Sequence, residues 1–228
     1  MNRLTPLLTF VFALAFALQT GVSEAGLIES YRYNLNIFTS NGGYYNDPGV
    51  DLYVEVSLQE DVGQPDRIRF EFHNDSSMYC SIADIYFDDG SLSQFYGIDH
   101  GPGTAFTQWA DPSELPGGNT LVPPFQTSLG FSADSDTPPP DNGVESSQDP
   151  EQWVAIIFDL QGDDDLTDVR SQLNTGQLRI GVHAIAFPSA FPGDEGSSES
   201  AVTPEPATLV LLAMPAGIAV FFRKNPPR

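Results

Sequence analysis

Residues 51–58 alternate strictly, with Leu52, Val54, Val56 and Leu58 falling on one side and Asp51, Tyr53, Glu55 and Ser57 on the other. In an extended chain successive side chains point to opposite faces, so a period of two buries one face and wets the other. A helix would scatter the same residues around its axis. The period returns at 67–72, where Ile68, Phe70 and Phe72 oppose Arg67, Arg69 and Glu71, and earlier through Tyr31, Tyr33, Leu35 and Ile37. Between the first two of these segments lies Glu60-Asp61-Val62-Gly63-Gln64-Pro65-Asp66, whose Gly, Pro and Asp favour a hairpin connection. Two half-buried strands joined so closely pair antiparallel and need a second apolar layer to cover them.

The rest of the central chain supplies that layer. Strands are expected at 82–87, 125–132, 153–160 and 178–187. The unbroken run Val154-Ala155-Ile156-Ile157-Phe158 reads as a strand buried on both faces. One short helix is expected. Asp164 or Asp165 would cap it, Leu166, Val169 and Leu173 share a face, and Gly176 would end it. Two stretches break the pattern. Residues 132–152 are acidic and proline-rich and read as a long surface loop. Residues 192–203, rich in Gly, Ser and Glu, read as a flexible stalk. The expectation is a mainly-β domain over 26–191, an antiparallel β-sandwich of jelly-roll type with one short helix.

The ends have a different character. Arg3 precedes an almost wholly apolar run over 4–18, and Ser23-Glu24-Ala25 follows with small residues at its first and third positions. This is the three-part pattern of a secretory signal helix over 1–25, which signal peptidase would cut between Ala25 and Gly26. At the other end Pro204-Glu205-Pro206 precedes an apolar stretch to Phe222, then Arg223, Lys224 and Arg228. Prolines keep a triplet extended, the apolar run suits a hydrophobic transmembrane helix, and the cations favour the cytoplasmic face.

These parts, in this order, resemble the PEP-CTERM sorting signal, and the resemblance covers 204–228. It implies recognition by an exosortase-type membrane enzyme, with Pro204, Glu205 and Pro206 as the sorting motif and Arg223, Lys224 and Arg228 as the basic stop signal. The runs Ile82-Ala83-Asp84-Ile85-Tyr86-Phe87-Asp88-Asp89 and Leu178-Arg179-Ile180-Gly181-Val182-His183-Ala184, with the later Gly-Ser-Ser-Glu-Ser, are similar to the ectodomains of other PEP-CTERM proteins. That likeness implies no activity.

Charge narrows the partners. Of 31 acidic residues only Glu24 and Glu205 lie in the two ends, and of nine basic ones Arg3, Arg223, Lys224 and Arg228 do. The middle keeps 29 acids against 5 bases, a net charge of −24. Such a field repels nucleic acid and anionic headgroups. It suits solubility first and a hard cation second. Asp88-Asp89-Gly90, Asp134-Ser135-Asp136 and Asp163-Asp164-Asp165 are oxygen-rich segments able to hold structural calcium, although none follows the EF-hand spacing. No other cofactor is indicated.

No catalytic residue is assigned. His73, His100 and His183 lack neighbours at metal-ligand spacing, and no nucleophile elbow, P-loop or dinucleotide fingerprint is present. Cys80, the sole cysteine, is expected to be buried as a small apolar group. The function expected is that of an exported, non-catalytic cell-envelope or extracellular-matrix protein. One alternative is a carbohydrate-binding module using Trp109 or Tyr45, with envelope polysaccharide as partner. A glycan-active hydrolase using a carboxylate pair beside a cleft lined by Tyr44, Tyr45, Tyr96, Trp109 and Trp153 is another.

Overall fold

The computed structural model describes residues 29–59, 67–88, 90–137, 141–148, 150–188 and 196–204. Within them lie eleven strands: β1 (Ser30–Ile37), β2 (Leu52–Gln59), β3 (Arg67–Asn74), β4 (Ser81–Asp88), β5 (Leu92–His100), β6 (Phe106–Gln108), β7 (Ser132–Ser135), β8 (Val144–Glu145), β9 (Val154–Leu160), β10 (Arg179–Phe187) and β11 (Ser197–Val202). The one α-helix among the described residues is α1 (Leu166–Thr175). Every pairing is antiparallel, in the order β5-β9-β3-β2-β1-β11-β10-β4-β7-β6, with β8 beside β4. The chain is mainly β, as the alternation requires.

The sheet doubles back on itself at β1, which pairs with β2 through Ser30–Leu35 and with β11 through Asn36 and Ile37. Register fixes the core in rows. Val54 faces Phe72 and Phe72 faces Val154; Val56, Phe70 and Ile156 form the next row, and Leu58, Ile68 and Phe158 the third. From the opposing half, Phe87 of β4 meets Phe70, Phe72 and Phe158 edge-on, with ring centroids 4.8–6.1 Å apart. Apart from Leu58, which is partly buried, these side chains are shut off from water, each contributing roughly 1.5–3 kcal/mol through apolar burial.

Helix α1 carries the chain from β9 to β10. Asp165 is its N-cap, accepting from the N–H groups of Thr167 and Asp168, and the Asp168 carboxylate accepts from the Asp165 N–H to complete a capping box. Gly176, at φ 71°, ends it in the left-handed conformation. Leu166, Val169 and Leu173 are buried in the main core.

A second apolar cluster lies on the outside of the β11-β10-β4 half. The segment 109–131 folds across that face, where Leu115 and Phe125 pack with Tyr86, Ala110 and Val202. Gly181 makes this close approach feasible, because a Cβ there would stand 2.6 Å from Leu115 Cδ2. The Arg179 guanidinium, paired with Asp88, donates to the carbonyls of Pro123 (2.7 Å) and Pro124 (2.6 Å).

Three expectations are corrected. The segment expected as a strand over 125–132 is extended only at Ser132, where β7 begins, because Phe125 packs in the outer cluster and Phe131 against the main core, and Gly130, at φ 83°, breaks extension. Nor is 132–152 merely a loop. It contains β7 and β8, both paired with β4, and Val144 is fully buried while its carbonyl accepts from Asn74 Nδ2 at 3.0 Å.

The largest correction concerns the stalk assigned to 192–203. Residues 197–202 form β11, set between β1 and β10, and the domain continues past 191 to Thr203, whose N–H donates to the Ile180 carbonyl (2.9 Å). Glu199 is 1% exposed, and its carboxylate accepts from the Thr39 hydroxyl and the N–H groups of Asn41 and Gly42. A polar strand is buried here because the loop after β1 supplies donors for its charge.

The expected signal helix over 1–25 and its Ala25–Gly26 cleavage point lie outside the described residues, as do Glu205, Pro206, Arg223, Lys224, Arg228 and the hydrophobic C-terminal stretch. Among the described residues no helix is long and apolar enough to cross a membrane.

Candidate functional site

The outer face of the β5-β9-β3-β2-β1 half gathers aromatic rings, guanidinium groups and carboxylates in register. One row across it reads Asn34, Tyr53, His73. The next reads Arg32, Glu55, Glu71, Ala155, Asp99, and the third Ser57, Arg69, Ile157, Gly97. Trp153, just before β9, accepts at its carbonyl from the Gly101 N–H at 2.9 Å. Three of the five arginines of the middle segment stand here.

Each guanidinium stacks on a ring. Arg32 lies 3.5 Å from the Tyr53 centroid, Arg67 3.3 Å from Tyr96 and Arg69 5.1 Å from Trp153. Each also has a carboxylate partner: Asp51 for Arg32 at 2.8 Å, Asp159 for Arg67 at 2.9 Å, and both Glu71 (2.8 Å) and Asp99 for Arg69. Planar guanidinium fits both demands at once, holding a carboxylate at its edge and a ring on its face.

His73 closes the network. Its ring lies parallel to Tyr53, centroids 4.8 Å apart, with Nδ1 2.8 Å from Glu151 and Nε2 3.1 Å from Glu71. Burial opposes its imidazolium form, but hydrogen bonds to Glu71 and Glu151 outweigh burial and hold the pKa above the ordinary value. Glu71 moves the other way, held low by its hydrogen bond with His73 against a burial cost and by Arg69. Beyond His73 a 310 Å³ cleft opens, lined by Asn74, Asp75, Glu145, Ser147, Gln148, Glu151 and Gln152. Such a surface offers flat rings and many acceptors, the chemistry of polyhydroxylated ligands.

The other sequence candidates separate. His183 sits in mid-strand, with Nδ1 2.8 Å from Asp84, while His100 Nε2 lies 2.9 Å from the Phe106 nitrogen. Trp109 and Tyr45, 57% and 59% exposed, stand on different loops. Cys80 is fully buried beside Asn74, and burial pushes its thiol pKa up. Asp88 is held by Arg179, and Asp165 caps α1. Among the described residues no group of three His, Cys, Asp or Glu side chains is arranged to hold a metal.

Asp134 stands opposite Asp84 across β7 and β4. Burial, then the Asp84 charge and a hydrogen bond to it, push Asp134 up to about 6. The unfolded carboxyl titrates at about 3.9. Stability from this group is therefore fully present below about pH 3.9 and lost as pH rises through about 6. Asp134→Asn is expected to melt roughly 2–4 °C above the parent at pH 7.5, about 1 kcal/mol after solvent screening. The gap should close near pH 4, and equal melting temperatures at both pH values would refute the assignment.

Sequence reasoning grouped Tyr96 and Trp153 as rings that could line a cleft but did not join them to Arg69 and Glu71, because these neighbour relations cross the three strands β3, β9 and β5. Comparison with known proteins finds no matching family model, no matching curated protein and no matching solved structure.

Proposed function

We propose that this chain is an exported, non-catalytic protein of the cell envelope or extracellular matrix. Signal peptidase removes 1–25, and an exosortase-type enzyme reads Pro204-Glu205-Pro206. The observation that carries the proposal is the pair of signal-like segments flanking one folded domain. The domain boundaries support it: β1 begins at Ser30, β11 ends at Val202, and the two strands run antiparallel as neighbours.

Mass spectrometry of the protein from its host tests this. The expected species starts at Gly26 and lacks 207–228, and Glu205→Ala retains the tail. An intact Met1–Arg228 chain in the cytoplasm would overturn it. A second role, contact with envelope polysaccharide, is favoured by the ring-and-guanidinium face.

A further inference from the structure

We propose that the outer face built from β5, β9 and β3 is a binding platform for a neutral polysaccharide chain, with Tyr96 as its principal stacking ring. This rests on the polysaccharide-contact reading and is independent of how the tail is processed.

Tyr96 owes its position to a β-bulge. Phe95 pairs with Phe158 and Gly97 with Ile157, so Tyr96 has no partner of its own on β9. A bulge turns its extra side chain out of the regular alternation. Phe95 still packs inward on Phe158, with centroids 5.6 Å apart. Tyr96 is 52% exposed, whereas the Arg67 stacked on it is 6% exposed. The guanidinium therefore lies beneath the ring and leaves the opposite face open to solvent. Asp159 in turn holds Arg67 through Nε at 2.9 Å. A ring fixed this way loses little conformational freedom on binding.

Hexose rings present C–H groups on one face and hydroxyls around the edge. The aromatic quadrupole attracts the first, and carboxylates and guanidinium meet the second. Asp99, half exposed, and Glu71 flank Arg69 beside Tyr96. Trp153 provides a second ring on this face, about 15 Å from Tyr96 along β9 at the rise of an extended strand, roughly two to three hexose units. Beyond Trp153 and His73, the acceptor-lined 310 Å³ cleft would receive further hydroxyls. The net charge of −24 over 26–203 selects against anionic polysaccharide.

The test is affinity electrophoresis of the full-length chain in detergent, in gels containing hydroxyethylcellulose, galactomannan or alginate. Retardation is expected in at least one neutral polymer and not in alginate. Tyr96→Ala should weaken the retained interaction about tenfold, the loss of one stacked ring, and Tyr96→Phe should preserve it. Trp109→Ala and Tyr45→Ala should leave it unchanged. Retardation that survives Tyr96→Ala, or disappears with Trp109→Ala instead, overturns the platform while keeping the polysaccharide reading. No retardation in either neutral polymer overturns both. An unchanged melting temperature for Tyr96→Ala assigns the loss to the ring rather than to unfolding.

Discussion

A chain ending at Gly196 is expected not to fold, whereas one ending at Pro204 retains every described hydrogen bond and should fold. The missing residues include β11, set between β1 and β10. Without it, the Phe38 N–H loses its bond to the Ser200 carbonyl (3.0 Å) and the pairings of Gly181 to Ala184 vanish. The loop after β1 also loses Glu199, the acceptor for Thr39, Asn41 and Gly42. Each buried polar group left unpaired costs about 1–3 kcal/mol, so several together exceed the roughly 5–15 kcal/mol that holds a domain folded. Circular dichroism should show no cooperative melting for the shorter chain. Glu199→Ala is the milder form of the same change, expected to cost about 3 kcal/mol. A shorter chain that melts cooperatively would show that β11 is dispensable.

Phe158→Ala is expected to have the next largest effect. The side chain is fully buried and touches four other rings, Phe70, Phe87, Phe95 and Phe131, at centroid distances of 4.8–6.0 Å. Those rings come from both halves of the folded sheet and from the strap over 109–131, so the resulting cavity cannot collapse without moving several elements. Large-to-small changes of this kind cost about 3–5 kcal/mol, which lowers the melting temperature by roughly 10 °C in a domain of this size. Phe158→Leu should recover more than half of the loss. A drop of less than about 3 °C for the alanine variant would mean the five-ring cluster is not the centre of the core.

Stability should peak in mildly acidic solution. His73 is held protonated above its ordinary range, so its contribution fades as pH rises past that value, and Asp134 loses its contribution through about 6. Glu71 and Asp165, both held low, contribute above their unfolded pKa values and lose that contribution on acidification.

The local elements were legible in the chain itself. The strict alternation at 51–58 and 67–72 became β2 and β3, the apolar run from Val154 became β9, and Asp165 and Gly176 bound α1. In each case neighbours in sequence carry the signal, because alternation, capping and left-handed glycine are properties of consecutive residues. β5 escaped because two bulges interrupt its period.

What the sequence determined, then, was the mainly-β class and the apolar faces of its strands. Tertiary structure alone decided that the polar run Ser-Ser-Glu-Ser-Ala-Val is a central strand, and that Tyr96, Arg67 and Asp159 form one stack. The reason is physical: burial of a charge depends on donors from a loop some 160 residues away, Thr39 for Glu199, and a platform depends on register across strands. Neither relation leaves a periodic trace along the chain.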